Sequence, residues 1–235
     1  MTAGTGTPPG ARRALRLAHR GDWRAGPENS LAAMRAALAN RACDGLEFDV
    51  RASRDGTPIV LHDETLLRVQ GRPERPSALT TAELATSGIP TLAEVLEAAG
   101  LGPFLDIELK GDPIPAVIEV IEGARGPSIA RTVVSSFEHA TLAWVGQVRP
   151  GWRCWLNAED LSASTIQVAV ELKCRGVSAD WRSINPRTMA RAAAAGLEVA
   201  AWTVRRRPTV DRLDRLGVVA TCVEAAALDG WPDLN

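Results

Sequence analysis

The chain has 235 residues, 46% of them hydrophobic and 23% charged, an ordinary globular composition with enough apolar material for one α/β barrel-sized unit. Its 27 Lys and Arg against 28 Asp and Glu leave a net charge of -1, which excludes the clustered positive charge that binding to nucleic acid or to an anionic membrane draws on. Cys43, Cys154, Cys174 and Cys222 contain no CxxC pair, which excludes a disulfide scaffold and a structural zinc site and reads as buried thiols.

Residues 1–12 are rich in Thr, Gly and Pro and read as a flexible lead without the apolar core of a signal peptide. No run approaches the roughly 18 apolar residues of a membrane span, so a cytoplasmic protein with no stable membrane anchor is expected. Apolar, strand-like runs then alternate with helical stretches. Leu15–His19 is the first run, followed by an Ala-rich helical stretch from Ser30 to Asn40, then Gly45–Val50 as the second run. Arg51 to Gly88 breaks the rhythm with a short apolar run, Pro58–His62, and polar, Pro-broken sequence; connections of this length usually carry function. Thr91 restarts it as a helix N-cap, with Glu94 at capping-box spacing. The remaining runs are Phe104–Leu109, Arg131–Phe137, Arg153–Asn157, Gly176–Asp180, Val199–Val204 and Val218–Cys222, with a helix over Asn185 to Gly196 closed by that glycine. Eight runs joined by helical crossovers predict an α/β fold, a TIM (β/α)8 barrel over residues 13–235, with a short insertion at about 51–88 between strand two and its helix.

In such a barrel the chemistry sits where the strands end, so polar residues closing an apolar run are the candidates. Three runs close this way: on His19-Arg20, on Glu47 and Asp49, and on Asp106, Glu108 and Lys110. Residues two apart share a strand face, so Glu47 and Asp49 point together, and Glu108 can join them with Lys110 just above. Three carboxylates suit one hard divalent cation, Mg²⁺ or Ca²⁺. Taken singly, each acid reads equally well as the partner of one of the many arginines, and Asp106 is set aside as a supporting acid.

Three histidines occur, His19, His62 and His139, and two lie beside the acidic runs. Two histidines so placed can do acid-base work, one taking a proton from a nucleophile and the other giving one to a leaving group. His139 opens a helix without acidic company and reads as a surface or capping residue. Lys110 and Lys173 are the two lysines in the chain; Lys173 reads as a helix-end surface charge. Arg20 offers a two-pronged grip and Lys110 a point charge for a phosphate. No glycine-rich phosphate loop is present.

The stretches His19-Arg20-Gly21, Pro27-Glu28-Asn29-Ser30, Asp44-Gly45-Leu46-Glu47-Phe48-Asp49-Val50, Asp55-Gly56 and His62-Asp63 closely resemble the glycerophosphodiester phosphodiesterase family in order and spacing. Pro90-Thr91-Leu92, Ile107-Glu108-Leu109-Lys110, Ser135-Ser136-Phe137 and Ala201-Trp202-Thr203-Val204 extend the likeness over nearly the whole chain. The resemblance implies hydrolysis of small glycerophosphodiesters to an alcohol and glycerol 3-phosphate. It implies His19 and His62 as the acid-base pair, Glu47, Asp49 and Glu108 as metal ligands, and Arg20 and Lys110 on phosphate. It further suggests attack by the substrate's own glycerol hydroxyl through a cyclic phosphate.

Glu28 and Asn29 match a family pair that braces the first loop or the metal shell, although Asn29 reads equally as a plain N-cap. Trp202 stands where the family has a tryptophan near substrate and is also an ordinary barrel filler. The chain departs from the family at Val69-Gln70, at Arg205, and at Thr221-Cys222-Val223-Glu224, where an acid directly after the threonine is expected and Cys222 stands instead. A lysophospholipase D-type phosphodiesterase is the alternative if apolar residues rim the mouth. A catalytically silent barrel that binds phosphodiesters is the other, against which two histidines and three metal-type acids argue.

Overall fold

The computed structural model describes residues 13–229; the expected flexible lead at 1–12 lies outside the described residues. Eight parallel strands close on themselves among the described residues: β1 (Leu15–His19), β2 (Gly45–Ala52), β4 (Phe104–Leu109), β5 (Thr132–Ser136), β6 (Cys154–Ala158), β7 (Gly176–Asp180), β8 (Glu198–Val204) and β9 (Ala220–Val223). β1 pairs with both β2 and β9, which makes the sheet a barrel, and the TIM architecture expected from the sequence is present. Helices α1 (Leu31–Ala39), α4 (Leu92–Ala99), α5 (Ala116–Arg125), α6 (His139–Val148), α7 (Ala163–Glu171), α8 (Pro186–Ala194) and α9 (Arg207–Leu216) surround it. Their apolar faces meet the outward strand residues in one large core that includes Met34, Phe48, Ile107, Val145 and Leu213. No described helix is long and apolar enough to cross a membrane.

Local chemistry sets the helix starts. Ser30 caps α1 by accepting from the Ala33 amide, and Thr91 and Glu94 form the expected capping box at α4. Asn185 and Thr188 make a reciprocal box at α8, with Pro186 in the first turn; Gly196, at φ +72°, takes the left-handed position just past the cap at Ala195.

Strand alternation layers the barrel interior. Leu17, Phe104, Val133, Trp155, Ala200 and Ala220 form an apolar plug at its lower end. Two residues further along the same strands come His19, Asp106, Ser135, Asn157, Trp202 and Cys222, and the interior turns polar. The plug needs space on one neighbour: a Cβ on Gly45 would stand 1.8 Å from the Phe104 carbonyl oxygen, so a side chain is excluded there.

The insertion begins as a hairpin. β2 runs past the barrel and pairs antiparallel with β3 (Pro58–Val60), matching Val50 to Val60 and Ala52 to Pro58. α2 (Leu67–Gln70) and α3 (Thr81–Ala85) follow, and Ile59, Leu61, Leu66, Leu79, Leu84 and Ile89 give the segment a small core of its own. That core anchors the stretch from Leu61 to Arg68, which carries His62 over the barrel mouth.

Candidate active site

A cavity of about 290 Å³ opens at the C-terminal ends of the strands, and His19, Arg20, Glu47, His62, Glu108 and Lys110 all line it. Arg20 leaves β1 at φ +59°, tied by its amide to the Glu47 carbonyl at 2.8 Å and by its carbonyl to the Asn29 amide at 2.9 Å. The next residue must be glycine. Gly21 lies at φ +83°, and a Cβ there would meet the Ala33 backbone at 2.7 Å. This close turn against α1 aims Arg20 into the mouth.

The three acids come together as strand alternation requires. Glu47 is registered with Asp106 and Asp49 with Glu108, and ligand atoms of Glu47, Asp49 and Glu108 lie within 4.8 Å of one another. Asp49 sits behind the cavity wall with no exposed surface. Its Oδ2 accepts from Asn29 Nδ2 at 2.9 Å and pairs with Arg20 Nε at 3.1 Å, while Lys110 Nζ is 3.1 Å from its Oδ1. Lys110 also pairs with Glu108. Glu47 Oε2 is buried without a hydrogen-bond partner, with His19 Nε2 3.8 Å away.

Electrostatics separate the acids. Burial drives Glu47 well above the usual carboxylate range, reinforced by the charges of Asp49 and Glu108. Burial, with Asp49 adding to it, pushes Glu108 up to about 7. Burial also pulls Asp49 upward, yet Lys110, Arg20 and His62 outweigh it and hold that carboxyl below its ordinary value. Burial and mutual repulsion thus oppose charge on Glu47 and Glu108, an opposition that a bound cation would relieve. Buried carboxylate oxygens, one on each of Glu47, Asp49 and Glu108 without a hydrogen-bond partner, fit a hard divalent cation.

Each of the two cavity histidines presents Nδ1 to a carboxylate. His62 Nδ1 lies 2.6 Å from Asp63 Oδ1, and His19 Nδ1 lies 2.5 Å from Glu224 Oε1. Arg68 holds Asp63, and those hydrogen bonds bring its carboxyl down to about 2; burial lowers His62. Arg68 also reaches Glu28 at 2.6 Å, and Glu28 accepts from Arg20 at 2.9 Å, so a chain of alternating charge ties the insertion to the β1–α1 loop.

Glu28 and Asn29 do not line the main cavity; both stand behind it, on Arg20 and Asp49. The N-cap reading of Asn29 is overturned, because Ser30 caps α1 and the Asn29 amide is spent on Asp49. Trp202 lines the cavity, donating through Nε1 to the Ser178 carbonyl at 2.9 Å and meeting Phe137 edge-on at 5.7 Å between ring centroids. Asp106 lines the floor and accepts from Ser135 at 2.6 Å; burial raises it to about 7. His139 is exposed at the start of α6, and Lys173 is exposed beyond the end of α7.

The expectation of a lost acid on the last strand is corrected. Cys222 lines the floor, but Glu224, immediately beyond β9, puts a buried carboxylate on His19. Glu224 obeys the rule that marks Glu47 and Glu108, an acid closing an apolar run, so its signal is present in the sequence. Asp63 and Arg68 match no role expected from the sequence, although Asp63 stands next to a candidate histidine.

Among known proteins, a glycerophosphodiester phosphodiesterase of Caldanaerobacter subterraneus subsp. tengcongensis is 29% identical over 224 residues, covering 88% of this chain and 92% of that protein. The structure of an Oleispira antarctica phosphodiesterase in complex with its product sn-glycerol-3-phosphate superposes with a TM-score of 0.79 at 24% identity, over 90% of this chain and 93% of that one. A glycerophosphodiester phosphodiesterase from Thermotoga maritima gives 0.76 at 22% identity, over 90% and 95%. The model of the glycerophosphoryl diester phosphodiesterase family matches residues 19–227, from the first cavity histidine to past the last strand, and this chain belongs to that family.

Proposed function

We propose that this protein hydrolyses small glycerophosphodiesters, such as glycerophosphocholine or glycerophosphoethanolamine, to an alcohol and glycerol 3-phosphate with the help of one divalent cation. The observation that carries the reading is the pair of histidines, His19 and His62, lining one cavity with two members of a three-carboxylate cluster. A protein that only binds phosphodiesters has no use for two proton-transfer groups.

In this reading Glu47, Asp49 and Glu108 hold the cation, Mg²⁺ or Ca²⁺, which when bound supplies Lewis-acid polarisation of a phosphoryl oxygen. Arg20 and Lys110 orient the phosphate, the first as a fork and the second as a point charge. One histidine takes the proton of the attacking group and the other delivers one to the departing alkoxide. Asn29 keeps Asp49 in place, Glu28 does the same for Arg20, and Phe137 with Trp202 forms an aromatic wall for the alcohol.

The test is release of glycerol 3-phosphate from several glycerophosphodiesters, with EDTA and with Mg²⁺ or Ca²⁺ restored. Metal-dependent release is expected. A folded protein that releases none with any of these ions refutes the reading.

A lysophospholipase D-type activity is the second reading, favoured by Trp23, Leu67 and Phe137. These large apolar side chains are 49%, 59% and 37% exposed on segments that follow β1, β2 and β5 at the mouth face. A higher kcat/KM for lysophosphatidylcholine than for glycerophosphocholine selects it; the reverse order selects the water-soluble substrate.

A further inference from the structure

Arg205 follows β8 directly, and Glu224 follows β9. The Glu224 carboxylate is buried, with Oε1 on His19 Nδ1 at 2.5 Å and Oε2 accepting from Arg205 Nε at 2.6 Å. The two strand ends are pinned beside this contact, since the Glu224 amide donates to the Val204 carbonyl at 2.9 Å. Arg205 does not line the cavity, and 69% of its side chain is open to solvent.

We propose that Arg205 is a positioning residue of the reaction, acting through Glu224 to fix the ring plane and tautomer of His19. The proposal rests on the reading of His19 as a proton-transfer group. A glutamate has several rotatable bonds, and one hydrogen bond from an imidazole leaves its carboxylate free to swing. Occupying the second oxygen with a guanidinium N–H removes that freedom, because charge-assisted bonds of this kind are short and directional. A carboxylate held on Nδ1 keeps a ring proton there and turns Nε2 toward the cavity, on the side of Glu47.

The Arg205 arm is exposed, and ion pairs of that kind add little to folding, so the larger consequence of this contact is at His19. The other histidine repeats the device: Asp63 holds His62 and is itself held by Arg68 Nε at 2.6 Å. Both imidazoles thus stand on a carboxylate that an arginine braces.

A kinetic double-mutant cycle separates this role from direct contact with substrate. Arg205→Ala is expected to lower kcat about tenfold with KM within about twofold, and Glu224→Gln to lower kcat on the order of 10²-fold, the scale set by misplacing a reacting group. In the Glu224→Gln background Arg205→Ala should cost nothing more, and Arg205→Lys alone should recover most of the wild-type kcat. Additive losses, or a loss confined to KM, overturn the proposal. Nitrogen-15 imidazole spectra give a second readout that needs no turnover, because the chain has 3 histidines to assign. His19 should carry its proton on Nδ1 in the wild type and become a tautomer mixture in Arg205→Ala. An unchanged tautomer in the variant overturns the proposal; absence of turnover in the wild type, with the tautomer change intact, overturns the hydrolase reading and leaves the positioning of His19 standing.

Discussion

His62 Nδ1 and Asp63 Oδ1 lie 2.6 Å apart, although the two residues are adjacent in sequence and on a segment that carries no regular structure. Adjacent side chains seldom meet so closely; here Arg68 grips both Asp63 oxygens and turns the carboxylate toward the ring. Asp63→Asn keeps the shape and one acceptor but removes the charge that steadies an imidazolium during proton transfer. It is expected to lower kcat roughly 10²-fold, at nearly constant KM, the pattern of an interaction made in the transition state. Steady-state kinetics check this. A wild-type kcat in the variant assigns Asp63 to loop structure alone.

Gly45 is a second place where one residue type is dictated. It opens β2 beside Phe104, whose backbone carbonyl occupies the position of any Cβ. Gly45→Ala must displace β4 relative to β2 at the apolar plug, and overpacking of this kind costs about 1–3 kcal/mol. Urea denaturation is expected to show the loss as a lower midpoint at unchanged slope. An unchanged midpoint means that the strands part there without cost.

Much of this was readable from residue patterns. All eight barrel strands follow apolar runs seen in the sequence, with differences only at the ends: β2 continues to Ala52 because Pro58–Val60 pairs with it, and β9 starts at Ala220 rather than Val218. The convergence of Glu47, Asp49 and Glu108 follows from two-residue alternation, which the parallel register preserves. Contacts made by long side chains across loops were not readable. The Arg68–Glu28 pair spans forty positions, and the Glu224–His19 pair spans most of the chain; no local period encodes either. Asn29 shows the same limit from the other side, since its type suits a helix cap and only the fold decides that its amide reaches Asp49 instead.

The three-carboxylate cluster predicts stabilisation by divalent cations. Lys110 pairs with two of the acids but leaves Glu47 Oε2 buried without a hydrogen bond, an oxygen that a bound cation would satisfy. A cation held there binds the folded chain and not the unfolded one, worth about 2.7 kcal/mol at one hundred times its Kd. For a chain of this size that corresponds to a rise in Tm of roughly 5–10 °C. Thermal melts of EDTA-treated protein with Mg²⁺, Ca²⁺ or Mn²⁺ added are expected to show it, and Glu108→Gln to lose most of it. Equal melting temperatures with and without every one of these ions leave the cluster with no cation to hold.

Acid should weaken the fold partly through Glu224. Burial opposes ionisation there, yet the hydrogen bonds to His19 and Arg205 win and bring the carboxyl down to about 2. In the unfolded chain a glutamate titrates near 4.3, about two units higher. Between those values the unfolded chain binds more protons than the folded one, so stability falls as the pH falls. The contribution is fully present above about pH 4.3 and is gone once the pH passes below about 2. Glu224→Gln removes this titration and leaves the rest of the molecule to follow its own course. Urea midpoints measured from pH 6 to pH 2 are expected to fall more steeply for the wild type than for the variant, with the two curves converging at the acid end. Parallel curves across that range would show that Glu224 carries an ordinary carboxyl, and that its contacts to His19 and Arg205 are too weak to hold a buried charge.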